Sequence, residues 1–454
     1  MNAQLLNPFA RDTPERVGGT LENACANCLA FNGSKGLFAG NYLAVGRTDG
    51  LVSVWDLETR TVLRWYGAHV KTVTSVSWSP YNRYLVSSSL DWNVNIFDLA
   101  TKHGRCVRTL RFDAPVTQAV FSPHTSRLLL VVFESRQGLL VAFPSAQDVS
   151  TKPRRIPLGQ GTKVHEMISS ACFTPDGRWV AAGTTKGGIA LFDTQTGALA
   201  GDAVSVGASS IRQMGFDATG KHLVVNMNDR TIRTFRVVYR SPDDMEVDVL
   251  CSPLELTLRH KFQDLVGRTP WNGIAFSSDA EYVMGGASRD AAHNVYIWDR
   301  DSGVLVKILE GPREPLLFAQ WHPLQPQIAS IASSGDVHLW STKATEIWSA
   351  YAPGFEELEK NVEYEEREDE FDLEDEAVRN RKKRDEETGF VNIFSTGPAS
   401  DAMIVQSLAP PQLYRAHSNL EAWLGNGPCP TSRFVDDDDQ VRFFIPPLLE
   451  ENVA

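Results

Sequence analysis

VTSVSWSPYNRYLVSSSLDWNVNIFDL, residues Val73 to Leu99, holds three short runs rich in β-branched and aromatic residues, split by the turn Tyr81-Asn82-Arg83 and by a second turn around Asp91. Alternating apolar residues bounded by turn formers read as short antiparallel strands. The same plan recurs as ISSACFTPDGRWVAAG, IRQMGFDATGKHLVV and WNGIAFSSDAEYVMGG, where Pro-Asp-Gly, Ala-Thr-Gly and Ser-Asp-Ala supply the hairpins. Each unit closes on a strand with an aromatic near its end: Trp55, Phe97, Phe143, Phe192, Phe235, Trp298 and Trp340. Their spacings of 42, 46, 49, 43, 63 and 42 residues define one period with a single insertion. A fourth strand follows, as in TVLRWYG (Thr61 to Gly67) and VLVKILEG (Val304 to Gly311). Four strands in each of seven units specify an all-β fold, a seven-bladed propeller in which every sheet buries its faces on its neighbours.

Composition agrees. A chain of 454 residues with 42% hydrophobic residues can bury a large core. No run of about 18 apolar residues occurs, and MNAQLLNPFARDTPER at the start has no signal-peptide core, so a soluble intracellular protein is expected. Six scattered cysteines form no disulfide framework. Cys25 and Cys28 share the spacing of a metal or redox pair, but in a strand they would point to opposite faces, and no second ligand pair completes them. They read as buried strand cysteines.

The 63-residue spacing marks Val238 to Leu265 as an insertion, expected as a surface loop between units five and six. After Tyr351 the repeat stops. Phe355 to Val378 carries thirteen acidic residues against Lys360 and Arg367, a net charge of −11 out of −12 for the whole chain. Regularly placed Phe355, Leu358, Val362, Tyr364, Phe371 and Leu373 distinguish this strap from purely solvating sequence. Arg379 to Arg384 is a basic run, and the remaining tail is polar with apolar islands at Gly389 to Phe394 and Val441 to Leu449. The expected division is an N-terminal segment 1–20, a propeller 21–351, a strap 352–378 and a flexible tail 379–454. Blade seven could close either with Glu346 to Tyr351 or with an N-terminal strand.

No phosphate loop, HExxH, GxSxG or metal-ligand cluster stands at working spacing, which weighs against an enzyme and implies no cofactor. Four arginines stand out in the repeat register. Arg230 and Arg289 precede the aromatic strands of units five and six; Arg268 and Arg313 lie in the connections entering units six and seven. Loops of both kinds emerge on one face of a propeller. The four would form a positive patch suited to duplex phosphates, unless they are paired with Asp229, Asp290 and Glu314.

Leu21 to Tyr351 resembles the WD-repeat family, with Trp-Asp at 55–56 and 298–299 and Phe-Asp at 97–98 and 192–193. In unit two His69 and Asp91 occupy the family's buried hydrogen-bond network, although Phe97 replaces its tryptophan, so His69 reads as structural. Units three and five lack most signature residues. The run WSAYAPGFEELEKNVEYEEREDEFDLEDE (Trp348 to Glu376) resembles the hallmark segment of the retinoblastoma-binding protein five type subunit of COMPASS/MLL histone H3 lysine-4 methyltransferase complexes. MNAQLL, QDLVGRTPWNG and YIWDRDSGVLVKILEG resemble the same family.

This resemblance implies a nuclear, chromatin-associated, non-catalytic scaffold that is no homo-oligomer by itself. Phe355, Glu356, Leu358, Asn361 and Val362 match the segment that activates the SET-domain subunit. Glu363, Tyr364, Glu365, Glu366, Arg367, Glu368, Phe371 and Asp372 match the part that binds the SPRY-domain subunit. Glu386, Glu387, Val391 and Ile393 are candidates for a second WD-repeat subunit, with Val435 to Ile445 of comparable pattern. Arg230, Arg268, Arg289 and Arg313 match positions that face nucleosomal DNA, and Arg379 to Arg384 resembles a nuclear localisation signal, although tethering to DNA would serve equally. A generic WD-repeat adaptor, such as a ubiquitin-ligase substrate receptor, and a propeller enzyme are the rival readings.

Overall fold

The computed structural model describes residues 13–35, 38–67, 69–100, 106–144, 152–159, 167–239, 254–264, 269–289, 292–342 and 376–388. Seven four-stranded antiparallel sheets account for nearly all of them. From inner to outer strand, blade one is Ala26–Phe31, Tyr42–Arg47, Leu51–Asp56 and Val62–Gly67, and blade two is Val73–Trp78, Tyr84–Ser89, Asn93–Asp98 and Cys106–Arg111. Blade three is Val116–Phe121, Leu128–Phe133, Gly138–Ala142 and Arg154–Pro157; blade four is Ile168–Phe173, Trp179–Thr184, Gly188–Asp193 and Val204–Ser205. Blade five is Ile211–Phe216, His222–Met227, Ile232–Tyr239 and Leu254–Phe262, and blade six is Trp271–Phe276, Tyr282–Arg289, Ala292–Asp299 and Leu305–Glu310. Blade seven joins Leu316–Trp321, Ile328–Ala332 and Val337–Ser341 to Arg16–Leu21.

The N-terminal strand therefore closes the ring. Arg16 pairs with Ser341 and Leu21 with Val337, with a bulge between Val17 and Gly19. A Cβ at Gly18 would fall 2.2 Å from Ser341 Oγ, so a larger residue there would have to turn that hydroxyl away. The propeller thus begins at Arg16, inside what the sequence suggested was a separate segment, and its outer place in blade seven is filled without Glu346 to Tyr351.

Alternating strand residues place one apolar cluster at each of the seven blade contacts. Tyr84, Val86 and Ile96 of blade two meet Phe121, Val131 and Phe143 of blade three. Met284 and Ile297 of blade six meet Trp321 and Trp340 of blade seven, and Leu21 and Val337 of blade seven meet Leu43 and Trp55 of blade one. In four blades an aspartate follows the signature aromatic and caps the turn to the outer strand: Asp56 accepts from Glu58 N–H, Asp98 from Ala100, Asp193 from Gln195 and Asp299 from Ser302. That turn geometry is why an aromatic-Asp pair marks the end of the third strand.

Two further expectations change. The insertion at 238–265 is not merely a loop: it contains Leu254–Phe262, the outer strand of blade five, paired along its length with Ile232–Tyr239. Cys28 lies in a strand, buried, and burial pushes its thiol up to about 12, whereas Cys25 precedes the strand with φ 45°. Beyond the propeller a second compact unit spans Thr345–Thr431, of which the helix α1 (Glu376–Thr388) is described. The expected boundary at 378 falls inside this helix.

Candidate nucleic-acid interface

Each blade is entered by a connection from the outer strand before it, and exposes a turn between its second and third strands. One backbone hydrogen bond ties turn to connection in every blade. Thr48 N–H donates to Cys25 O (3.1 Å), Leu90 to Thr72 (3.4 Å), Glu134 to Pro115 (3.0 Å), Thr185 to Met167 (3.0 Å), Asn228 to Ser210 (2.9 Å), Ser288 to Pro270 (2.9 Å) and Ser333 to Pro315 (3.0 Å). These bonds hold both kinds of loop on one face. Arg230 and Arg313 stand on it, both exposed, and Trp271 Nε1–H donates to Arg230 O (3.0 Å), joining the Arg230 turn to blade six. Arg289 ends the second strand of blade six on the same side; its side chain, and Arg268 altogether, lie outside the described residues.

The turns carry a further pattern in the six blades whose turns are described throughout. Their third position is left-handed: Gly50 (φ 90°), Gly187 (φ 81°) and Gly335 (φ 91°) meet that need without strain, but Trp92 (φ 72°), Arg136 (φ 62°) and Arg230 (φ 64°) take it in blades two, three and five. A side chain in that region costs about 1 kcal/mol. Arg230 is thus held on the face at a site where glycine would be easier.

Two of the acids that sequence proximity offered as partners are described, and each makes a further bond. Asp229 pairs with Arg233 (2.8 Å) and accepts from Thr231 N–H (3.1 Å). Glu314 accepts from Ser334 N–H (3.3 Å). Asp290 lies outside the described residues.

His69 sits beside this face as a structural group. Asp91, an acceptor only, accepts from Nδ1–H of His69 (3.0 Å), so Nε2 accepts from the Ser87 hydroxyl (2.7 Å). Burial holds the His69 pKa below its ordinary value, against the pull of Asp91. Blade seven contains a second network that the repeat register did not reveal. Its histidine, His293, comes from the third strand of blade six; Nε2 meets Ser330 Oγ (2.6 Å), which accepts from Trp340 Nε1–H (2.8 Å). Among the described residues no group of His, Cys, Asp or Glu could hold a metal ion, and no helix is long and apolar enough to cross a membrane.

The basic run Arg379 to Arg384 lies on α1 with its side chains exposed. Glu386 and Glu387 are in the last turn of the same helix, where acids oppose the helix dipole. Phe355 to Asp372, Val391, Ile393 and Val435 to Ile445 lie outside the described residues.

Comparison with known proteins adds to this geometry. The WD domain, G-beta repeat family matches residues 60–98 and 159–193. The Set1 complex component swd1 of Schizosaccharomyces pombe is 34% identical over 422 residues, covering 91% of this chain and 99% of that protein. The retinoblastoma-binding protein 5 homolog of Drosophila melanogaster is 38% identical, covering 83% of this chain and 73% of its own, and the COMPASS component SWD1 of Saccharomyces cerevisiae is 33% identical, covering 85% and 91%. The crystal structure of the Myceliophteria thermophila Cps50 (Swd1) β-propeller domain superposes with a TM-score of 0.63 at 34% identity, covering 72% of this chain and 99% of that one.

Proposed function

The chain belongs to the family of Swd1 and the retinoblastoma-binding protein 5 homologues, and from that premise we propose that it is a non-catalytic scaffold subunit of a Set1/COMPASS-type histone H3 lysine-4 methyltransferase complex in the nucleus. The observation that carries this reading is the length of the match. A 422-residue alignment is longer than the propeller, which ends at Ser341, so the relationship takes in much of the chain beyond it, where a bare repeat would match only blades. The propeller is the platform, and its arginine-bearing face rests on nucleosomal DNA through Arg230, Arg268, Arg289 and Arg313.

The strap supplies the bridge. Phe355, Glu356, Leu358, Asn361 and Val362 position the SET domain; Glu363 to Glu368 with Phe371 and Asp372 hold the SPRY subunit; Glu386, Glu387, Val391 and Ile393 engage a second WD-repeat subunit. Its thirteen acids suit basic grooves and its spaced aromatics suit apolar pockets. Stimulation then arises by population shift: the strap favours the active arrangement of a mobile catalytic domain and donates no reacting group.

The test replaces Glu363, Glu365, Glu366 and Asp369 with lysine and measures histone methylation and SPRY-subunit binding in the reassembled complex. Both are expected to fall at least tenfold, as loss of one desolvated charge pair alone costs about 2–5 kcal/mol. Undiminished binding and methylation would sink the proposal. The purified chain alone, given methyl donor and histone, is expected to give no turnover.

A further inference from the structure

The inner strands line a central channel of about 610 Å³, and the second residue of each sits near the arginine-bearing face. In four blades this residue stitches the ring together by donating to the first carbonyl of the next inner strand: Asn27 to Val73 O (2.7 Å), Thr74 to Val116 O (2.8 Å), Ser169 to Ile211 O (2.6 Å) and Asn272 to Leu316 O (3.3 Å). Blade five departs from the pattern. There the bond to Trp271 O is made by Asn226 of the second strand (2.8 Å), and the second position of the inner strand is Arg212. Its exposed guanidinium has no hydrogen-bond or ion-pair partner among the described residues.

A second cation lies on the turn bonded to the connection that leads into Arg212. Lys186, exposed at the tip of the blade-four turn, has no ion-pair partner among the described residues either. That turn is bonded to the connection entering blade five, since Val206 and Gly207 N–H both donate to Gly187 O (2.9 and 3.1 Å). The same connection carries Ser210, which accepts from Asn228 in the Arg230 turn (2.9 Å), and two residues later comes Arg212. Lys186, Arg212 and Arg230 therefore stand on one continuous ridge of hydrogen-bonded loops. The connection Val206 to Ser210 contains no acid, and Asp229 is taken by Arg233.

We infer that Lys186 and Arg212 bind two further phosphates, carrying the DNA-facing surface from the outer turns of blade five inward to the mouth of the channel. The inference rests on the DNA reading of Arg230 and Arg313 and extends it to blade four and to the inner rim. Released from stitching the ring, Arg212 is free to serve a ligand. The fork of its guanidinium suits phosphate oxygens, and Lys186 adds a point charge.

The experiment measures binding of the purified full-length chain to a short labelled DNA duplex between about 50 and 200 mM salt, where the slope of log K against log salt falls by about 0.9 for each phosphate that the protein no longer neutralises. Lys186→Ala with Arg212→Ala is expected to flatten the slope by about twice that amount, at unchanged thermal unfolding, since both side chains are exposed. Arg212→Lys keeps the charge and is expected to keep the slope. If Arg230→Ala with Arg313→Ala flattens the slope and the Lys186/Arg212 pair does not, the inference is overturned and the broader reading stands. If neither pair flattens it, both fall. A labelled polyglutamate peptide is the remaining arm: loss of its binding in the Lys186/Arg212 variant, with the DNA slope unchanged, would assign the ridge to an acidic protein segment and overturn the inference.

Discussion

Blade two and blade seven each hold a fragment of the same buried network, and the fragments are complementary. Blade two keeps the carboxylate and the histidine, Asp91 and His69, on Ser87, but offers Phe97 where an indole would donate. Blade seven keeps the indole of Trp340 on Ser330, but its histidine is borrowed from blade six, and the turn position equivalent to Asp91 is Ser334. The electrostatic results differ accordingly. His69 is desolvated but has a carboxylate on Nδ1. His293 is fully buried with Nδ1 unpartnered among the described residues and His338 nearby, and burial followed by that repulsion pushes its pKa down to about 4. Both blades thus keep the hydroxyl that receives the ring, while the group behind the ring decides how the blade responds to acid.

Removing the indole breaks the comparison most severely. Trp340 is 1% exposed and packs on Met284 and Ile297 of blade six, so Trp340→Ala is expected to cost about 3–5 kcal/mol in urea unfolding. It also removes a cross-strand partner of Val17 in the closing strand, so the N-terminal strand should become the first site of proteolysis. A Phe97→Ala variant, which leaves the His69 bonds in place, should destabilise without exposing that strand. Early N-terminal cleavage in both would show that the blade-seven network has no special part in closing the ring.

Acid is the next probe. A histidine whose folded pKa lies below its ordinary 6.5 binds fewer protons in the folded chain than in the unfolded one, so stability is full above about 6.5 and lost as pH falls toward 4. Each pH unit in that window removes up to about 1.4 kcal/mol through His293. Glu314 pulls the other way, and His338, itself lowered by burial, adds to the loss. His293→Gln should therefore flatten the decline in stability between about pH 6.5 and 4 more than His69→Gln does, and equal flattening would remove the distinction between the two blades.

The legibility of these features followed their distance in sequence. The third strands announce themselves because an aromatic packs between blades and, in four of them, an aspartate caps the next turn, all within six residues such as Val52 to Leu57. His69 and Asp91 were readable because donor and acceptor lie within one repeat. His293 was not, because its hydroxyl partner is 37 residues away in the next blade. The closing strand Arg16–Leu21 reads RVGGTL, with no aromatic, and its complement lies at the far end of the propeller. Of the face, Arg230 and Arg313 could be placed from the repeat register. Lys186 and Arg212 could not, because their significance depends on bonds that other residues make: Asn226 takes over the stitching, and Arg233 takes Asp229.

The comparison can finally be sharpened by giving blade seven the acid it lacks. Ser334 precedes the left-handed Gly335 just as Asp91 precedes Trp92, and its hydroxyl receives Asp336 N–H (3.4 Å) as Asp91 receives Asn93 N–H (3.0 Å). His293 and His69 present Nε2 to matching serines, so Ser334→Asp should set a carboxylate toward the unpartnered Nδ1. The new charge also stands close to Asp336 in sequence and to Glu314, which bonds the Ser334 amide, so at neutral pH repulsion should leave a net loss of roughly 0.5 kcal/mol. Below about pH 6 the balance reverses. A proton on His293 would then be paired, its pKa should rise from about 4 toward the ordinary range, and the acid decline of the variant should be shallower than that of the natural chain. Titration of the histidine ring resonances by NMR measures the shift directly. An unmoved His293 would mean that the borrowed histidine shares the serine of the network but not its geometry, and that blades two and seven are similar only at the hydroxyl.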